Sequence, residues 1–178
     1  MLAWLDHRVS LEELWKLWLS SPTVRRFETG RTTPAEFAEQ IIREMSLPIA
    51  PEEFVANFES WVVGLLPGAL DLVHSVPSRF TRATLSNNSE PHWRRLMTEF
   101  DLQNAFHHHF ASHLTGKIKP DREAFQNVLD TLGCQAASVF FLDDSTLNVE
   151  AAREVGMHAV QARGPAEAHR ALVDAGIL

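Results

Sequence analysis

Two adjacent carboxylates, Asp143 and Asp144, close the apolar run Val139-Phe140-Phe141-Leu142. Neighbouring like charges repel each other, so a cation is expected to compensate them. Carboxylate oxygens of this kind suit Mg²⁺, which takes one or two of them and fills its remaining positions with water and phosphate oxygens. Other groups fit the same chemistry. Ser86 and Asn87 end the stretch "ATLSN", and Lys117 and Lys119 both stand in "GKIKPD". A hydroxyl and a backbone N–H where a helix begins can cradle an anion. A lysine faces phosphate oxygens as a compact point charge. Hydroxyl, amide, lysine and paired carboxylates together describe an anionic substrate held beside a hard cation.

Elements must bring these groups together, and the pattern says how. From residue 67 onward, strands alternate with helices, which specifies a parallel sheet covered by helices on both faces. The helix in "PGALDLVHSVP" stops at Pro77. "FTRATLSN" reads as a strand, "SEPHWRRLMTEF" as a helix and "AFHHHFASH" as a short strand. "KPDREAFQNVLDTLG" places Phe125, Val128, Leu129 and Leu132 on one helical face, with Gly133 as its C-cap. The run ending at Asp143 does not alternate apolar with polar and reads as a strand buried on both faces. A helix over "TLNVEAAREVG", a strand "MHAVQAR" and a helix from Pro165 follow. In such a sheet, functional groups collect at the C-terminal strand ends, where Ser86, Asn87, Lys119, Asp143 and Asp144 all fall.

Residues 1–66 carry helical signals only. "SLEELWKLWLSS" sets Leu11, Leu14, Trp15, Trp18 and Leu19 on one face, with Ser10 and Glu13 spaced as a capping box. "TPAEFAEQIIREM" repeats the device with Thr33 and Glu36, and Pro34 at the first helical position. "APEEFVANFESWVVGLL" turns Phe54, Phe58, Trp61 and Leu65 inward. Four of the five Trp lie here, so these helices are expected to pack as a small bundle.

Composition limits the partners. With 16 Lys+Arg against 23 Asp+Glu, the net charge of −7 argues against nonspecific nucleic-acid binding. No stretch reaches the length of a membrane span, and "MLAWLDHRVS" lacks a secretory pattern. The single Cys134 rules out an intramolecular disulfide and suits a reducing, cytoplasmic address. The three histidines 107–109 point alternately to opposite faces of a strand, so they cannot chelate one ion.

The order "LSN", "GKIKPD", "FFLDDSTLN" resembles motifs two, three and four of the haloacid dehalogenase-like (HAD) hydrolases. The wider "FETGRTTPAEF…HW" is similar to subfamily IA, the subgroup of sugar-1-phosphate phosphatases and the N-terminal phosphatase of soluble epoxide hydrolase. The resemblance covers essentially the whole chain. It implies an α/β, Rossmann-like core over residues 67–178 and an all-helical cap over residues 1–66. It also implies a Mg²⁺-dependent phosphatase of small phosphorylated metabolites that works through an aspartyl-phosphate. Lys119, directly before Pro120, matches the motif lysine; Ser86 and Asn87 hold phosphate; Asp144 contacts the metal directly and Asp143 indirectly. Asn148 is expected to steady the motif-four loop.

The family's first motif, Asp-x-Asp after an apolar strand, has no match in this chain. Asp6 has neither a preceding strand nor an aspartate two positions on. By resemblance that strand is the centre of the sheet, between the strands ending at Ser86 and Asp143. The expectation is therefore an N-terminally truncated, inactive fragment of a phosphatase. The alternatives are a non-catalytic HAD-like protein and a haloacid dehalogenase, against which the acidic pair argues.

Overall fold

The computed structural model describes residues 1–5 and 9–178; Asp6 lies outside the described residues. Five helices come first, and local sequence explains where each begins. The first, α1 (Leu11–Ser20), starts with a capping box: Ser10 Oγ accepts from the Glu13 N–H at 3.1 Å, and Glu13 Oε2 accepts from the Ser10 N–H at 2.8 Å. Next, α2 (Pro22–Glu28) is capped by the Ser21 hydroxyl, with Pro22 at its first position. The third, α3 (Pro34–Met45), repeats the box through Thr33 and Glu36. Then α4 (Pro51–Glu59) opens on its proline, and α5 (Ala69–Ser75) ends before Pro77.

Three details differ from the sequence reading. Only Leu14 and Trp18 of the proposed α1 face are buried, while Leu11, Trp15 and Leu19 are exposed. A short surface helix meets its neighbours along one i, i+4 row, which here is narrower than the apolar stripe. The α4 helix stops at Glu59, so Trp61 and Leu65 lie beyond it; the β-branched pair Val62-Val63 and Gly64 lower helix propensity there. The α2 helix is additional, though Ser21-Pro22 is a helix-start signal.

The remaining elements alternate as expected. They are β1 (Ala83–Ser86), α6 (Glu90–Thr98), the single turn α7 (Leu102–Ala105), β2 (His108–Ala111) and the single turn α8 (Ser112–Thr115). They continue with α9 (Arg122–Leu132), β3 (Phe140–Asp143), α10 (Thr146–Val155), β4 (His158–Gln161) and α11 (Pro165–Asp174). The architecture is α/β with parallel strands. β1 pairs with β2 in the register Ala83–His108 through Ser86–Ala111, and β3 pairs with β4 from Phe140–His158 through Asp143–Gln161. Among the described residues these are two separate two-stranded sheets.

Two apolar clusters hold the chain. One gathers Leu14, Trp18, Phe27, Phe37, Ile41, Phe54 and Phe58, with the Phe27 and Phe37 rings stacked at 4.1 Å. The other gathers Phe125, Leu129, Val149, Ala152, Met157 and Ala159 around α9, α10 and β4. All residues of β1 and β3 are only half-buried, whereas β2 contains buried Phe110 and Ala111, and β4 contains buried Ala159. This corrects the expectation of a β3 buried on both faces. Parallel strands are normally covered throughout, but a cleft of about 1120 Å³ opens between Thr81–Leu85 and Val139–Leu142.

Candidate active site

Lys119 sits in the loop between α8 and α9. Gly116, in the left-handed region at φ +69°, ends α8, and buried Ile118 anchors the loop to the core. The Asp121 N–H closes a turn on the Ile118 carbonyl at 3.0 Å, and the intervening Lys119–Pro120 peptide is cis. Asn87, immediately after β1, clamps this loop from the side. Its Oδ1 accepts from the Lys119 N–H at 2.8 Å, and its Nδ2 donates to the Lys119 carbonyl at 2.8 Å. Two bonds from one planar amide fix the lysine backbone in both position and orientation.

The side chain of Lys119 then reaches β3. Its Nζ donates to Asp143 Oδ2 at 2.6 Å, with both side chains more than nine-tenths buried, and lies 5.6 Å from the centre of the Phe141 ring. An ammonium has three donors, so this bond leaves donor capacity for a further anion. Asp143 Oδ1 accepts from the Ser145 N–H at 2.9 Å and from Asn148 Nδ2 at 3.0 Å. Burial works to raise the Asp143 pKa, but the Lys119 charge and the hydrogen bonds from Lys119, Asn148 and Ser145 outweigh it. They hold the carboxyl below its ordinary value.

Asp143 and Asp144 therefore differ. Both oxygens of Asp143 are engaged by protein donors, whereas the Asp144 side chain is exposed and makes no side-chain hydrogen bond among the described residues. Its backbone carbonyl accepts from Gln161 Nε2 at 2.8 Å, which ties the residue to β4. No group of three or more His, Cys, Asp or Glu that could hold a metal occurs among the described residues. One free carboxylate still fits Mg²⁺, whose other positions are commonly taken by water and substrate phosphate.

Ser86 is the last residue of β1, half-buried, and its hydroxyl has no hydrogen-bond partner among the described residues. The structure thus brings Asn87, Lys119 and Asp143 into one bonded chain at the C-terminal ends of β1 and β3, with Ser86 and Asp144 next to them in sequence.

The sequence reading missed the side chain of Asn87, which was assigned only its backbone N–H. It also missed Ser112, whose Oγ accepts from the Asn88 N–H at 2.9 Å and donates to the Asn88 carbonyl at 3.2 Å. No local pattern announces either, because both bonds span more than 20 residues. Asn148 does steady the loop, as expected, by donating to Asp143 Oδ1.

The histidines of 107–109 are used separately. His107 Nδ1 accepts from the Arg82 N–H at 3.0 Å, and His109 Nδ1 lies 3.3 Å from Thr84 Oγ1. Glu28, at the end of α2, is pushed up to about 7 by burial. Arg25 pairs with Asp121 and so ties α2 to the start of α9.

Comparison with known proteins gives the family. Residues 29–162 match the family model described as haloacid dehalogenase-like hydrolase. A sesquiterpene phosphatase of Aspergillus oryzae is 31% identical over 159 residues, covering 86% of this chain and 78% of that protein. A phosphatase of Mycobacterium tuberculosis is 29% identical over 153 residues, covering 84% of this chain and 70% of its own length. A HAD-family enzyme of Bacteroides thetaiotaomicron, crystallised with magnesium and inorganic phosphate, is similar at a TM-score of 0.71 and 26% identity, over 86% of this chain and 79% of that one.

Proposed function

We propose, because the chain belongs to the haloacid dehalogenase-like hydrolase family, that it is the cap and most of the core of a Mg²⁺-dependent phosphatase of small phosphate monoesters. The observation that carries this reading is the bonded chain from Asn87 through Lys119 to Asp143 at adjoining strand ends. It is supported by relatives that are phosphatases and by a structural neighbour crystallised with magnesium and phosphate. On this reading residues 1–66 form the cap, and the enzyme works in the cytoplasm on a small phosphorylated metabolite, a sugar phosphate being one candidate.

Each residue then has a role. Lys119 turns its remaining ammonium donors toward the phosphoryl oxygens, where charge gathers as the P–O bond to the leaving group breaks. Charge neutralisation of this kind is worth most in a buried site, where the donor is already oriented. Asn87 is a positioning residue that fixes Lys119 through its backbone. Ser86 offers its hydroxyl, and the Asn87 N–H its proton, to the same phosphate. Asp144 would hold Mg²⁺, and Asp143 steadies the site through Lys119. When bound, the cation would supply positive charge that offsets the repulsion between the phosphate and the carboxylates near it. The carboxylate that attacks phosphorus, forming an aspartyl-phosphate that water later hydrolyses, is supplied from outside residues 1–178.

The test is phosphate release from p-nitrophenyl phosphate with Mg²⁺. Residues 1–178 alone are expected to release none above a blank. The same residues joined to an upstream apolar strand ending in Asp-x-Asp are expected to release it, and to stop when the metal is chelated. Halide release from a 2-haloacid without metal, with phosphate esters left intact, would move the assignment to dehalogenase. Turnover by neither form would favour a non-catalytic protein.

A further inference from the structure

The chain carries a net charge of −7, yet one small pocket is lined mainly by cations. It lies where α2 and the turn after it meet the loop between α8 and α9. The first segment contributes Arg25, Arg26 and Arg31, and the second contributes Lys117, Asp121 and Glu123. Arg25 is taken up by its pairing with Asp121. Arg26, Arg31 and Lys117 then stand against Glu123 alone, three positive charges against one negative. Among the described residues, the side chains of Arg26, Arg31 and Lys117 make no hydrogen bond or ion pair, whereas Arg43, Arg94 and Arg95 each hold a carboxylate. Glu36 is the other acid near Arg26, and its Oε2 already accepts from the Thr33 N–H and hydroxyl.

Helix electrostatics explains part of this cluster. Cations in a last turn complement the negative end of the helix dipole, which accounts for Arg25 and Arg26 in α2. It does not account for Arg31, which lies past the helix, or for Lys117, which comes from another part of the chain. Size narrows what these charges can hold. The pocket has a volume of about 220 Å³, below the roughly 300–1,000 Å³ that drug-sized ligands occupy. A nucleic acid needs a basic stripe over a surface, and this is a single hollow on an acidic chain. A small anion fits. Two guanidinium groups favour an oxyanion over a halide, because their N–H forks bind pairs of oxygens.

We propose that this pocket binds one small tetrahedral dianion, inorganic phosphate, which bridges Arg26 and Arg31 to Lys117. The bound ion fastens the helical segment to the loop that also carries Lys119, and so reinforces the Arg25–Asp121 pair. The pocket shares no lining residue with Ser86, Asn87, Lys119, Asp143 or Asp144. The inference therefore does not rest on the roles given to those residues above.

Amide shift mapping on the 178-residue protein tests it at pH 8 without Mg²⁺, with inorganic phosphate replacing sodium chloride at constant ionic strength. The amides of Arg26, Arg31, Gly116 and Lys117 are expected to shift together and to saturate along one curve. Arg31→Gln and Lys117→Gln should each weaken that curve about tenfold, as loss of one charged hydrogen bond implies. Ser86→Ala should leave it unchanged. Circular dichroism checks that each variant keeps the parent fold. Sulfate that competes for the same amides supports a tetrahedral dianion. Shifts that never saturate, or that chloride reproduces, would mean charge screening and overturn the site. Saturation that Ser86→Ala abolishes and Arg31→Gln spares would put the ion at the strand ends and overturn it equally. Phenyl phosphate that binds as tightly as phosphate would make an esterified group the ligand, against the free ion proposed. No arm reads phosphate release, so this pocket and the hydrolase reading stand or fall separately.

Discussion

Lys117 and Lys119 are two residues apart, and their surroundings separate them. The Lys119 ammonium is buried on Asp143, whereas Lys117 borders a smaller surface pocket with Arg25, Arg26 and Arg31. In the protein joined to an apolar strand ending in Asp-x-Asp, as in the proposed test, Lys119→Ala is expected to lower kcat/KM by about 10²–10³. It should also lower stability by about 3–5 kcal/mol, because the buried Asp143 charge loses its partner. Lys117→Ala is expected to stay within about 0.5 kcal/mol in stability and near the parent rate. Kinetics and urea unfolding on both variants check this, and equal losses would mean that the wrong lysine was chosen. Glu28 gives a second residue-scale test. Burial raises its carboxyl from 4.5 to about 7 in the folded chain, so between those pH values the unfolded chain has released a proton that the folded chain keeps. Stability contributed by Glu28 therefore falls as pH rises through that window and is level above it. Each pH step of one across the window is worth about 1.36 kcal/mol, so Glu28→Gln is expected to flatten the slope and to gain at most about 3 kcal/mol at pH 8. Unfolding midpoints at pH 5 and pH 8 decide it.

Helix ends explain why particular residue types recur along the N-terminal half. Ser10 with Glu13 and Thr33 with Glu36 satisfy orphan N–H groups, and Pro22, Pro34 and Pro51 occupy positions where a missing N–H costs nothing. Between α2 and α3 stands Gly30 at φ +70°, and a Cβ built there would run into the His113 carbonyl of α8. Two separate constraints, backbone conformation and close approach, demand glycine. Gly30→Ala is therefore expected to cost more than about 1 kcal/mol and to loosen the packing of α2 on α8, including the Arg25–Asp121 pair. Thermal unfolding together with exchange rates of the α8 amides would register it. Unchanged values would mean that α8 yields without cost.

At the scale of the whole molecule, the two apolar clusters are made differently. The helical one is rich in aromatic rings drawn from different helices within residues 5–58, such as the Trp18–Phe58 and Phe27–Phe58 pairs. The other draws on residues 125–159 and has partly buried Leu85 from β1 packed at its edge. β1 and β3 hold no fully buried residue, whereas β2 and β4 do, and residues of both β1 and β3 line the cleft. Ser86 and Asp143 directly follow Leu85 and Leu142, which line that cleft. Lys119 and Asp143 are held in place without the cleft being filled, because Asn87, Asn148 and the Ser145 N–H supply the necessary hydrogen bonds.

Periodicity and capping residues were enough to place the strand–helix alternation and most helix starts, since those depend on neighbours within about four positions. The order of "LSN", "GKIKPD" and "FFLDDSTLN" was enough to point to the family. Tertiary structure decided the rest. The Asn87 clamp on Lys119, the Ser112 bonds to Asn88 and the buried Lys119–Asp143 pair join residues 24 to 32 positions apart. Which apolar face of α1 is buried depended on a neighbouring helix rather than on its own stripe. The run ending at Asp143 looked doubly buried because its residues are apolar throughout. Whether a strand is covered depends on what lies beside it, and among the described residues β3 pairs with β4 alone.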